Sequence, residues 1–200
     1  MNYIAVDTSG KHLTLIVKKD ERIYEYFDPD CGVDHSVSLM PELERLLTRA
    51  DMQIKDADFF ACAVGAGSFT GIRIGVSTVK ALCLATGKPV LRLTSFDTLS
   101  YNIDSGKVLA VIDAKHNGYY VCQYVEGRAG VAEYVLKDRL ADFKDYLFVS
   151  GEKIEGLKTT VVSVCEGFKH AIEKNIGEIS NDINSLTPLY VRKSQAEEGG

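Results

Sequence analysis

Three groups of residues in this sequence are of types and spacings that do chemistry. The first is a glycine loop, Gly65-Ala66-Gly67-Ser68-Phe69-Thr70-Gly71, set between an apolar run at 59–64 and a stretch of helical periodicity. Backbone N–H groups at such a strand-to-helix turn can cradle a phosphate. The loop is not a P-loop, because Ile72 follows Gly71 where a lysine would be needed. It misses the dinucleotide fingerprint because Thr70 stands where the third glycine belongs. The other reading is a tight turn whose glycines let a neighbouring backbone come close. The second group is Asp7 and Asp113, each closing an apolar run and entering a turn. Such a pair can hold a hydrated metal and nucleotide phosphates between two lobes, and Asp equally caps turns. The third group is His12, His35, His116 and His170. None has a His or Cys at ligand spacing, so they predict no metal site. No Gly-x-Ser-x-Gly is present, and Gly67 to Gly71 lacks the middle serine, so the spacing supports no Ser-His-Asp triad.

Alternating or continuous apolar runs predict strands at 3–7, 12–17 and 22–27, joined by short turns into a meander. Leu39, Leu43, Leu46, Leu47 and Ala50 recur at helical spacing and predict a helix over 38–50, with Pro41 near its start. The run at 59–64 reads as a strand covered on both faces. A helix over 71–86 follows, stopped by Gly87 and Pro89, then a strand at 90–94 and a short helix to Tyr101. The pattern restarts with a buried strand at 107–113, again ending in Asp, and strands at 119–125, 131–136, 146–150 and 160–164. A helix over 166–175 carries Phe168 and Ile172 inward, and 177–185 reads as irregular. Each half thus opens on a strand ending in Asp and a meander, and the second half is poorer in helix. The polar, glycine-containing break at 102–106 predicts an N-terminal lobe over 1–102 and a C-terminal lobe over 103–192, with 193–200 a frayed tail.

With 200 residues the chain has room for one or two domains and a substantial core. Charged residues make up 26% and the net charge is −5, so disorder is excluded and a standalone nucleic-acid binder is disfavoured for want of clustered cations. No run reaches the length of a membrane span and the first residues lack a secretion signal, which together predict a cytoplasmic protein. The five cysteines, at 31, 62, 83, 122 and 165, are odd in number and contain no Cys-x-x-Cys; they predict free, buried thiols in a reducing compartment.

The helix over 71–86 is apolar on more than one side. Ile72, Val76, Val79 and Cys83 form one face, and Ile74, Thr78, Ala81 and Ala85 another; only Arg73, Ser77 and Lys80 are plainly polar. A surface helix carries one apolar stripe, so this helix is buried on two sides, by its own sheet and by either its own domain or a partner.

Gly65-Ala66-Gly67-Ser68-Phe69-Thr70-Gly71-Ile72-Arg73-Ile74-Gly75 closely resembles the central motif of the bacterial TsaB (YeaZ) family. Asp7-Thr8-Ser9, His35-Ser36, Asp113-Ala114-Lys115 and Pro188-Leu189-Tyr190-Val191-Arg192 match it in order, over nearly the whole chain. The resemblance implies a two-lobed α/β fold of the actin/Hsp70-like (ASKHA) ATPase superfamily, with duplicated strand-meander-plus-helix lobes and a reduced C-terminal lobe. It implies a non-catalytic scaffold subunit of the complex that forms threonylcarbamoyladenosine on tRNA beside the anticodon. Such a subunit pairs with the catalytic paralogue TsaD, supports the small ATPase TsaE, forms a homodimer when alone, and meets tRNA only through the complex. The paralogue holds its metal through a His-x-x-x-His pair, and the matching positions here are Ser95 and Leu99. Leucine offers no ligand, so that chemistry cannot run at this site.

In that family the first two helices pack on the partner. Leu39, Leu43, Leu46, Phe69, Ile72, Arg73, Val76 and Lys80 are therefore the expected interface residues. The competing expectation is an enzyme of the same superfamily that binds ATP or ADP with magnesium through Asp7, Gly65, Gly67 and Asp113.

Overall fold

The computed structural model describes residues 1–104, 106–115 and 118–192. His116, part of the break at 102–106 and the tail at 193–200 lie outside the described residues. Among the described residues ten strands form two five-stranded sheets. The first contains β1 (Tyr3–Asp7), β2 (Leu13–Lys19), β3 (Arg22–Asp28), β4 (Phe59–Ala63) and β5 (Val90–Leu93), in the order β3-β2-β1-β4-β5. The second contains β6 (Lys107–Asp113), β7 (Gly118–Val125), β8 (Arg128–Leu136), β9 (Leu147–Ser150) and β10 (Thr160–Val161), in the order β10-β9-β6-β7-β8. In each, the opening strand pairs antiparallel with a meander on one side and parallel with a later strand on the other. The two sheets therefore repeat one topology, with β1 and β6 at matching central positions.

Period-two alternation divides the first sheet between two cores. Ile4, Val6, Leu13, Leu15, Phe60 and Cys62 face α1 (His35–Ala50) and α2 (Phe69–Thr86). Tyr3, Ala5, Ile16, Phe59 and Ala61 face α4 (Val164–Lys174), which follows the second sheet in sequence and returns to cover the first. Burial on both sides explains the nearly unbroken apolar sequence of β1 and β4. The second sheet packs one face on α3 (Ser95–Ser100) through Phe96, Leu99, Ala110 and Tyr124. Its other face is covered by Leu140 of a 3-10 segment (Lys137–Phe143) and by Ile154. Where the first sheet crosses from β4 to β5 through α2, the second crosses from β9 to β10 through a loop at 151–159 with no α-helix. That is the physical form of the reduced second lobe.

Four local expectations are corrected. α1 begins at His35, three residues earlier than its periodicity indicated, so Pro41 sits inside the helix. The fifth strand of the second sheet ends at Val161, because Ser163 caps α4 and Val164 opens it. α2 begins at Phe69, two residues before the expected start at Gly71, because Ser68 caps it. Finally, α2 is long and apolar enough to cross a membrane by length and composition, against the expectation that no run is. Its apolarity has a local cause: Ile72, Val76, Val79 and Cys83 are seated in the first core. All five cysteines are buried and free; burial pushes the Cys122 and Cys165 thiols up to about 12 and Cys83 to about 11.

Candidate functional site

A cavity of about 350 Å³ lies between the sheets. Ser9, His12, Ala66 and Gly67 line it from the first sheet, Ser95, Thr98 and Leu99 from α3, and Ile112, Asp113, Ser150 and Glu152 from the second sheet. The repeated topology puts the ends of β1 and β6 here, as carboxyl ends of parallel strands do at ligand clefts.

At its floor Asp7 is fully buried. Ser9 donates to Asp7 Oδ1 twice, from its N–H at 2.8 Å and its hydroxyl at 2.6 Å. Ser95 Oγ in turn donates to Ser9 Oγ at 2.7 Å. On the other side His12 Nε2 stands 3.2 Å from Asp7 Oδ2, an ion-pair distance without hydrogen-bond alignment. Burial pushes the Asp7 carboxyl up, but the imidazolium and the Ser9 hydrogen bonds outweigh it and hold the group below its ordinary value. Burial pushes His12 down, and Asp7 more than compensates, so the imidazole is held above its ordinary value. Asp7 sits between serine and histidine. The Ser9 hydroxyl therefore donates a hydrogen bond to a buried carboxylate of lowered proton affinity, and the histidine stands on that carboxylate's other oxygen, which is not the order of a nucleophilic triad.

The glycine loop is spent on packing. Ser68 N–H donates to the Ser9 carbonyl at 2.6 Å, and Thr8 Oγ1 donates to the Gly71 carbonyl at 2.7 Å. A Cβ on Gly67, whose φ is +149°, would collide with the Ser9 carbonyl, and one on Gly71 with the Thr8 carbonyl. Ser68 caps α2 by accepting from Gly71 N–H. Across the cavity Asp113 is bound by the Lys115 N–H at 2.8 Å and by Lys115 Nζ at 3.0 Å. Gly67 and Asp113 line this cleft and Asp7 lies buried beneath Ser9 at its floor, whereas Gly65 is not among the lining residues. The Ser68 amide is taken by the Ser9 carbonyl, Asp7 is buried against Ser9 and His12, and Asp113 is paired with Lys115 while its carboxylate stays partly exposed. Among the described residues no group of three or more His, Cys, Asp or Glu is placed to hold a metal ion. Ser95 is buried in the serine network, and Leu99 packs in the core of the second sheet.

The expected interface residues divide. Leu39, Leu43 and Leu46 of α1 and Ile72 and Val76 of α2 lie in the core against their own sheet, so their assignment to a partner surface is corrected. They are the amphipathic stripes that bury each helix on the protein itself. Arg73 is exposed, and Phe69 and Lys80 are partly so. The outward sides instead present Val37 (70% exposed) and Met40 on α1, and Ser77, Ala81 and Leu84 (72% exposed) on α2.

Sequence reasoning missed His12 as the partner of Asp7, and Tyr190 as the partner of Phe69 and Arg73. His12 stands two residues before Thr14, which pairs with Asp7, so only the hairpin register could have revealed the contact.

The chain is similar to known proteins along most of its length. Residues 29–183 match the family model described as TsaD, tRNA N6-adenosine threonylcarbamoyltransferase. The tRNA threonylcarbamoyladenosine biosynthesis protein TsaB of Bacillus subtilis is 30% identical over 155 residues, which cover 76% of this chain and 67% of the relative. TsaB of Escherichia coli is 26% identical, over 66% of this chain and 58% of the relative. YeaZ from Pseudomonas aeruginosa superimposes with a TM-score of 0.79 at 21% identity, over 94% of this chain and 99% of that one, a likeness of fold. The two similar sheets, the cleft between them and these matches together place the chain in the TsaB (YeaZ) family, within the sequence family described as TsaD.

Proposed function

We propose that this chain is a non-catalytic partner subunit in the assembly that forms threonylcarbamoyladenosine on tRNA. The observation that carries the reading is the state of the cleft. Its carboxylates are internally paired, and the two positions where the paralogue has metal-binding histidines hold Ser95, hydrogen-bonded to Ser9, and the core residue Leu99. Such a cleft supports the shape of the lobe rather than a reaction.

The chain acts through its surface. α1 and α2 lie side by side on one face of the first sheet, and their outward sides carry exposed apolar and small residues, Val37, Met40, Ala81 and Leu84, that a solvated helix face would not favour. This face pairs with a TsaD-like catalytic paralogue, and with a second copy of the chain when the paralogue is absent. A TsaE-like small ATPase binds the resulting pair. Contact with tRNA is left to the other subunits, in keeping with the net charge of −5. The assembly works in the cytoplasm.

The test is to mix the purified chain with the TsaD-like paralogue of the same genome and measure masses by size exclusion with light scattering. A species at the heterodimer mass, formed at the expense of any homodimer, is expected. No complex, with or without nucleotide and the TsaE-like ATPase, overturns the reading.

A further inference from the structure

At the start of α2 three residues far apart in sequence form one surface cluster. The rings of Phe69 and Tyr190 stack with centroids 4.4 Å apart and planes 24° from parallel. The Arg73 guanidinium carbon lies 3.9 Å from the centre of the Phe69 ring, and Arg73 Nε donates to the Tyr190 hydroxyl at 3.0 Å. Tyr190 is held in turn because Leu189 N–H donates to the Val64 carbonyl at 2.8 Å, which pins the C-terminal segment across the glycine loop. Arg73 and Tyr190 are both exposed.

An arginine with one nitrogen committed and its plane fixed on an aromatic ring is pre-organised. It has lost the rotamer freedom that usually opposes ion pairing, and its charge cannot be removed by a proton shift. Yet among the described residues Arg73 forms no ion pair with a carboxylate, in a chain with 28 acidic residues. The stripe that continues along the same side of α2 runs through Ser77, the partly exposed Lys80, Ala81 and the exposed Leu84, and it holds no acidic residue. Small residues let a second helix come close, and arginine and tyrosine are the residue types that anchor interfaces.

We infer that Arg73, held by Phe69 and Tyr190, is the electrostatic anchor of the α2 partner surface and takes a carboxylate from the partner protein through its two terminal nitrogens. This rests on the pairing proposed above and adds the chemistry at one end of that surface. A nucleic-acid phosphate is the less fitting occupant, because phosphate backbones are bound by clustered cations, whereas Arg73 and Lys80 stand two helical turns apart on a chain of net charge −5.

The test measures affinity for the TsaD-like paralogue by titration calorimetry at two salt concentrations, with the melting temperature of each variant alongside. Arg73→Ala is expected to weaken pairing about tenfold or more with an unchanged melting temperature. Arg73→Lys is expected to recover only part of the loss, since a point charge lacks the planar fork. Raising the salt concentration is expected to weaken the wild-type pair more than the Arg73→Ala pair. Wild-type affinity in Arg73→Ala overturns the inference alone, as does a loss with the same salt dependence as the wild type. Absence of any wild-type pairing overturns the proposed function and this inference with it.

Discussion

His12 Nε2 stands 3.2 Å from Oδ2 of Asp7, a carboxylate with no exposed surface, at the floor of the cleft between the two sheets. Each group moves the other's proton affinity in the direction that keeps both charged: Asp7 below its ordinary 3.8, His12 above its ordinary 6.5. The sign of each contribution to stability follows. The depressed carboxyl stabilises the fold above pH 3.8, and that gain is lost as pH falls through its lower folded value. The raised imidazole stabilises the fold fully below pH 6.5, and that gain is lost as pH rises through its higher folded value. The pair is therefore worth most between those limits.

Asp7→Asn removes the charge and keeps the shape. It is expected to cost about 1–3 kcal/mol at pH 5.5, the penalty of leaving buried polar groups unmatched. The gap from the wild type is expected to narrow as pH rises past the point where His12 loses its proton. Urea unfolding from pH 4 to 9 checks this. A gap that stays constant to pH 9 would show that His12 is not the partner that matters.

The close approach of the glycine loop to the Thr8-Ser9 turn makes a second expectation. Gly71→Ala drives a Cβ into the carbonyl of Thr8, the residue that follows β1, and is expected to destabilise by about 1–3 kcal/mol. Gly177→Ala, where a Cβ meets nothing within 4 Å, is expected to stay within about 0.5 kcal/mol of the wild type. Equal effects at the two positions, by thermal or chemical unfolding, would contradict the packing role of the loop.

The two sides of α2 separate folding from pairing. Val76 is in the core, so Val76→Arg is expected to unfold the N-terminal lobe, seen as loss of the cooperative melting transition. Leu84 is 72% exposed, so Leu84→Arg is expected to leave stability within about 0.5 kcal/mol and to weaken pairing with the paralogue. Circular dichroism and light scattering on both variants decide this. An Arg at 84 that pairs normally would move the partner surface off this stripe.

What the sequence discloses here depends on whether a single period or a long-range register carries the information. Strands ending in Asp7 and Asp113, the turn at the glycine loop and the leucine stripe of α1 are local patterns, and each is where the pattern puts it. The repeat of the two sheets is legible for the same reason. The face of α2 that meets the sheet is not, because Ile72 and Val76 on one side and Ile74 and Ala81 on the other are all apolar, and periodicity does not rank two apolar sides. The leucines of α1 show the opposite lesson: a clean amphipathic stripe belongs first to the protein's own core, and reading it as a partner surface sets family analogy against that rule. The pairs that build the cleft floor, Asp7 with His12 and Ser9 with Ser95, span a hairpin register and 86 residues of sequence, which no local pattern encodes.

Nucleotide binding is the remaining discriminating measurement, because the competing reading of the cleft as an ATP site makes an opposite prediction. A phosphate held at the glycine loop needs free amides. Here the Ser68 N–H serves the Ser9 carbonyl, and Gly71 N–H serves the Ser68 hydroxyl. A magnesium ion between the lobes needs carboxylates with lone pairs to offer. Asp7 is enclosed by Ser9 and His12, and Asp113 is held by Lys115. Opening the site means breaking the Asp7 pair and stripping the loop of its packing, a cost that the same phosphate contacts would have to offset. Calorimetric titration of the isolated chain with ATP and magnesium is therefore expected to show no saturable heat up to millimolar ligand. Magnesium-dependent binding that disappears in Asp7→Ala would mean that the cleft opens in solution, and would return Asp7, Asp113 and the glycine loop to the role of a nucleotide site.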